Sequence, residues 1–71
     1  MQAEFNRKKL RAIREENNLT QEELAELSDI SDRHLRKLET ASTNPSADVL
    51  CRISYALDVA MDELMTIHRE P

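Results

Sequence analysis

Four residues in one short segment carry the most telling chemistry of the chain. Arg33, Arg36, Lys37 and Thr40 recur at i, i+3, i+4, i+7, the spacing that gathers side chains on one face of an α-helix. With successive residues advancing about 100° around the axis, Leu35 and Leu38 mark the buried direction, and Arg33 points almost directly away from them. A guanidinium so placed can donate two parallel hydrogen bonds to O6 and N7 of guanine. Lys37 can do the same less rigidly, or bind a phosphate. Asp32, in the first turn, is equally suited to accept from a cytosine amino group and to balance the helix dipole. The bland alternative for the cationic trio is a solvated helix face.

The other polar residues divide into partners and bystanders. Gln21 opens the preceding helix, where a side-chain amide and free backbone N–H groups can grip a phosphate; as a good helix former it also suits a plain surface position. Glu39 lies on the flank of the Leu35/Leu38 stripe, and a carboxylate there wants a cation. Arg14, on the inner stripe of the first helix, is the natural partner in a structural bridge. The adjacent pairs Glu15/Glu16 and Glu22/Glu23 do not face one common site. His34 is read as a packing or hydrogen-bonding residue at the edge of the buried stripe, and Cys51 as a partly buried small residue.

One Cys and two distant His, His34 and His68, supply neither a disulfide nor a four-ligand zinc set. The absence of Gly removes glycine-rich phosphate loops and argues against tight hairpins. Two aromatic residues, Phe5 and Tyr55, are too few for stacking on single strands. No nucleophile–base set emerges. The expectation is a protein that is not an enzyme, with no catalytic residues, no metal, no cofactor and no small-molecule substrate.

These side chains must be positioned by helices, and five short ones are predicted. The first spans about Asn6 to Asn17, with Leu10, Ile13, Arg14 and Asn17 on one stripe. Asn17-Asn18 stops it, since Asn tolerates the left-handed conformation. Thr20-Gln21-Glu22-Glu23 is a capping box that starts the second helix, whose Leu24, Ala25 and Ser28 face inward. Asp29 turns the chain, and Ser31 caps a third helix from Asp32 to Thr40. A loop over Ala41–Pro45 leads to Ser46, which caps a fourth helix carrying Leu50, Ile53, Ser54 and Leu57 on one face. Asp58 closes it, and a last short helix begins near Met61 and buries Leu64.

At 71 residues and 8.2 kDa the chain is read as a single domain over 1–71 with a thin core. Its balance of 39% hydrophobic and 34% charged residues excludes disorder and membrane-like composition. No N-terminal apolar run marks a signal peptide or membrane span, so no membrane role is expected and the cytoplasm is the default compartment. The formal charge of −4 is unevenly spread. Residues 1–14 carry +4, 15–30 carry −6, 31–41 carry +1 and 42–71 carry −3. Such polarity suits one basic and one acidic face.

Thr20 to Ala41 thus reads as two short helices joined by a tight turn, a helix-turn-helix whose second member can enter the major groove. The run Thr20-Gln21-Glu22-Glu23-Leu24-Ala25 resembles the start of the second helix in the lambda repressor/Cro-like, or XRE, family. Ile30-Ser31 with Leu35, Leu38 and Glu39 resembles its recognition helix, and Leu10 with Arg14 fits its first helix. Asn44-Pro45-Ser46 and Leu57 to Leu64 resemble its later segments. The similarity spans about residues 5–65. It implies an all-α, compact five-helix lambda repressor-like DNA-binding domain, working as a homodimer on a palindromic double-stranded operator.

By position the resemblance implies DNA contacts from Gln21, Ser31, Asp32, Arg33, Arg36, Lys37, Thr43 and Asn44, and an internal ion pair of Arg14 with Glu39. Departures from the family pattern are Ala41 for the usual Gly, a Ser42-Thr43-Asn44 loop without Lys or Arg, and Ala60 for a Ser cap. The turn after the third helix is therefore expected to be altered, and phosphate affinity to be moderate and steeply salt-dependent. Two function classes follow. One is a small transcriptional regulator, a repressor. The other is an antitoxin or antirepressor-like module that binds another protein through its first two helices and the tail Met61, Leu64, Met65, Ile67, residues that also suit a dimer interface or the core.

Overall fold

The computed structural model describes residues 1–69, and the last two positions of the expected domain lie outside the described residues. Four α-helices follow one another: α1 (Arg7–Glu16), α2 (Gln21–Leu27), α3 (Asp32–Thr40) and α4 (Ala47–Leu57). Each starts on a side chain that accepts a backbone N–H three residues on. Asn6 accepts from Lys9, Thr20 from Glu23, Ser31 from His34 and Ser46 from Val49. The Thr20 box is reciprocal: Thr20 N–H donates to Glu23 Oε1 at 2.9 Å, and Glu23 N–H to Thr20 Oγ1 at 3.0 Å.

Helices α1, α2 and α4 end on left-handed residues, Asn18 (φ 57°), Asp29 (φ 55°) and Asp58 (φ 56°). At each end two backbone bonds close the last turn, as in Leu19 N–H to Arg14 O and Asn18 N–H to Glu15 O. Gly is the usual residue there, but Asn and Asp reach this region at modest cost. A glycine-free chain therefore turns three times without a foreign conformation.

The core is almost wholly aliphatic. Leu10, Leu24, Leu35, Leu38, Ile53 and Leu64 are fully buried, with Ala25, Leu50 and Leu57 beside them. Burying each large aliphatic side chain contributes about 1.5–3 kcal/mol, set against chain entropy of similar total size. Phe5, Ile13, Leu19, Ile30, Val49, Val59 and Met65 pack around this centre.

Two features differ from the all-α, five-helix expectation. The segment Met61–Leu64 is a single 3-10 turn, although it buries Leu64 as expected. The ends of the described chain form an antiparallel pair, β1 (Gln2–Phe5) with β2 (Met65–His68), in which Phe5 lies opposite Met65 and Gln2 opposite His68. Over the described residues the protein is a mostly helical domain of four α-helices with a two-stranded sheet. Asn6 joins the two parts: its N–H donates to Leu64 O at 2.9 Å and its Nδ2 to Thr66 Oγ1 at 2.7 Å.

Candidate nucleic-acid interface

Helix α3 is braced from three sides. Leu35 and Leu38 pin it to the core. Behind it, Arg14 of α1 meets Glu39 in a two-bond fork, Nε to Oε2 at 2.7 Å and Nη2 to Oε1 at 3.1 Å. The side chains are 10% and 1% exposed, so both charges are largely removed from water. Their separation is compensated by additional bonds, as such a pair requires. Arg14 Nη1 donates to Leu19 O at 2.8 Å, and Gln21 Nε2 donates to Glu39 Oε1 at 3.1 Å. The Glu39 hydrogen bond and charge hold the Arg14 guanidinium more firmly protonated than an ordinary arginine, against the burial that opposes it. The turn between α2 and α3 is fastened separately, by Arg52 Nη1 of α4 donating to Asp29 O at 3.1 Å.

With its back fixed, α3 turns its cations outward. Arg33, Arg36, Lys37 and Thr40 are all exposed. Arg33 and Lys37 take part in no ion pair among the described residues. Arg36 does: its Nη2 lies 3.0 Å from Asp32 Oδ2. Asp32 is half-buried, and its Oδ1 has no hydrogen-bond partner. Thr40 Oγ1 donates back to Arg36 O at 2.7 Å, and Ser31 Oγ is spent as the cap acceptor for His34 N–H at 3.0 Å. Gln21 is half-buried, with its amide donating inward to Glu39.

The loop beyond α3 holds Thr43 and Asn44 at the surface. Ala41 is extended (φ −111°, ψ 168°), so the altered turn needs no left-handed residue. Sequence reasoning overlooked the group that shapes this turn. Arg7 Nη1 donates to Leu38 O at 2.9 Å and to Ala41 O, and lies 3.5 Å from Thr43 O. The available signal was the missing Gly at Ala41, which leaves helix-end carbonyls in need of a donor.

Two expectations fail. His34 is exposed rather than packed at the edge of the core, and Cys51 is an exposed free thiol rather than a partly buried one. Of the tail residues, Leu64 is core and Met65 half-buried, while Met61 and Ile67 stay exposed. Among the described residues no helix is long and apolar enough to cross a membrane, and no group of three or more metal-ligating side chains forms.

Two capped helices meeting at the Asp29 turn, the second with a buried leucine seam and a cationic outer face, define a helix-turn-helix. A family model described as helix-turn-helix matches residues 10–64. The chain belongs to that family, of the XRE type, and is a DNA-binding regulator of transcription. It is similar to the restriction-modification controller protein C.AhdI from Aeromonas hydrophila, at 31% identity and a TM-score of 0.78, over 82% of this chain and 88% of that one. It is also similar to the clp gene regulator ClgR from C. glutamicum, at 29% identity and a TM-score of 0.74, over 82% of this chain and 75% of that one. A search of curated proteins gave no match.

Proposed function

We propose that the protein is a sequence-specific repressor that lays α3 in the DNA major groove as a homodimer on a palindromic operator. The observation that carries this reading is the exposed cations Arg33 and Lys37, in no ion pair among the described residues, on a helix fixed from behind by Leu35, Leu38 and the Arg14–Glu39 fork. Arg33 reads a guanine edge, and Lys37 a second base or the adjoining phosphate. Arg36 leaves Asp32 for the backbone, and Asp32 then faces a base. Gln21, Ser31, Thr43 and Asn44 contact phosphates through groups not spent on caps or on Glu39.

The likeness to a restriction-modification controller and a clp gene regulator supports a regulator that acts at promoters. Repression follows from bulk, since a dimer spanning two half-sites about 34 Å apart blocks competing proteins. Exposed Leu27, Tyr55, Met61 and Ile67 offer apolar surface for self-association. The test is selection of bound duplexes from a random pool at stated salt. The Arg33→Ala/Lys37→Ala variant is then measured on the selected site. A native fold with lost binding is expected; wild-type affinity in that variant removes the reading.

A further inference from the structure

The end of α3 is built unlike the ends of the other three α-helices. Those close on left-handed Asn18, Asp29 and Asp58, so their last carbonyls are met by the backbone that follows. After α3 the chain runs straight out in the extended conformation, and Ala41 N–H returns only to Lys37 O at 2.9 Å. The carbonyls of Leu38, Ala41 and Thr43 converge instead on one side-chain nitrogen, Nη1 of Arg7, in the first turn of α1. A cation at a helix C-terminus is favoured by the macrodipole as well as by the hydrogen bonds. The same guanidinium sits 5.8 Å from the centroid of the Phe5 ring. It is thereby seated between β1 and the loop, and Ser42 and Asn44 line an open hollow with it.

We propose that Arg7 is a positioning residue for DNA reading. By bonding the carbonyls of Leu38 and Ala41 and lying beside that of Thr43, it sets the path of residues 41–44 relative to α3. Thr43 and Asn44 then reach phosphate in the register at which Arg33 and Lys37 reach the bases. Arg7 takes the part that a left-handed glycine would play at Ala41, with the added effect of tying the loop to α1. The inference rests on the reading of α3 given above.

The experiment compares wild type, Arg7→Ala, Arg7→Gln and Arg7→Lys on the DNA that the wild type selects. Fluorescence anisotropy is recorded across a salt series, and backbone amide NMR spectra of the free proteins are taken alongside. Arg33→Ala/Lys37→Ala serves as the reference. Arg7→Ala and Arg7→Gln should weaken binding roughly tenfold, the scale of one charge-assisted hydrogen bond. Shift changes should concentrate at residues 38–44, and Arg7→Lys should recover most of the affinity. The slope of log K against log salt should stay as in wild type, because a guanidinium spent on carbonyls releases no counterion. A direct phosphate contact would lower that slope by about one.

A slope that falls by one with an unperturbed loop overturns the proposal, and so does a perturbed loop with unchanged affinity. If Arg7→Ala fails to fold by circular dichroism, Arg7→Gln and Arg7→Lys carry the same comparison. Should the reference variant bind as well as wild type, the α3 reading fails, whatever Arg7 does.

Discussion

Arg14 and Glu39, 25 residues apart, share two hydrogen bonds of 2.7 and 3.1 Å across the α1–α3 junction. The pair couples the stability of the domain to the orientation of its outward cations. Glu39→Ala leaves Arg14 charged and nearly buried, a change that costs about 3–5 kcal/mol. A domain of this size has little more than that to spare. Chemical denaturation should show Glu39→Ala only marginally stable at room temperature, with most of the wild-type stability gone. Replacing both partners, Arg14→Met with Glu39→Leu, should recover much of the loss, because two apolar groups of similar volume bear no desolvation penalty. A double variant as unstable as the single would show that the fork, and not the cost of an orphaned charge, controls stability.

The leucine seam of α3 makes a second quantitative demand. Leu38 is fully buried, whereas Leu27 on α2 is 61% exposed. Leu38→Ala should cost about 2–5 kcal/mol through lost transfer energy and the cavity left behind. Leu27→Ala should stay within about 0.5 kcal/mol in the isolated subunit. Urea titrations of the two variants, with equal m-values, check the contrast. A large loss for Leu27→Ala at high dilution would mean that the packing around α2 is misassigned.

The Thr20 capping box predicts a pH dependence with a definite sign. The backbone N–H and the hydroxyl of Thr20 hold the Glu23 carboxyl below its ordinary value of 4.5. A carboxyl lowered by folding adds stability that is complete above the ordinary value and is lost as pH falls through the folded one. Stability should therefore drop below about pH 4.5, and the Glu23 side-chain NMR titration should have its midpoint under that value. Thr20→Ala should return the midpoint toward the ordinary value, while Glu23→Gln keeps an acceptor and removes this part of the acid sensitivity. An unmoved midpoint in Thr20→Ala would show that the Thr20 backbone N–H alone holds the carboxyl down and that the hydroxyl contributes nothing to it.

What could be read from the sequence was what short-range chemistry decides. The caps Thr20, Ser31 and Ser46, and the turn residues Asn18, Asp29 and Asp58, act within a few positions, so residue type alone reveals them. Pairing of β1 with β2 joins Gln2 to His68; Gln2–Phe5 and Met65–His68 do alternate polar and apolar residues, but at four residues each is the shortest run that periodicity can mark, and its partner lies at the other end of the described chain. His34 and Glu39 show the limit of a helical projection. Both lie about 70° from the direction set by Leu35 and Leu38, on opposite flanks. Glu39 is buried because Arg14 and Gln21 close over its flank; His34 stays exposed because the packing leaves its flank open. Cys51 lies beyond the edge of the Leu50/Ile53/Leu57 stripe, so a projection of α4 already points it outward. Arg7 stayed hidden because its acceptors lie 31 or more residues away.

Asp32 supplies the sharpest test of base reading. Its Oδ2 lies 3.0 Å from Arg36 on the otherwise cationic face, and the two side chains are 37% and 63% exposed. An exposed i, i+4 pair is worth only about 0.3–0.5 kcal/mol, so DNA phosphate can take Arg36 from it at little cost. Freed in this way, the Asp32 carboxylate repels phosphate and rewards a base that donates to it, which makes it a source of discrimination and not of affinity. Asp32→Asn should leave folding stability within about 0.5 kcal/mol. It should tighten binding to random duplex and narrow the gap between selected and random DNA by about tenfold, near the low end of the value of one base contact. Titrations of both duplexes at one fixed salt concentration give that ratio directly. If the ratio is unchanged, Asp32 only balances the helix dipole, and base discrimination falls to Arg33 and Lys37.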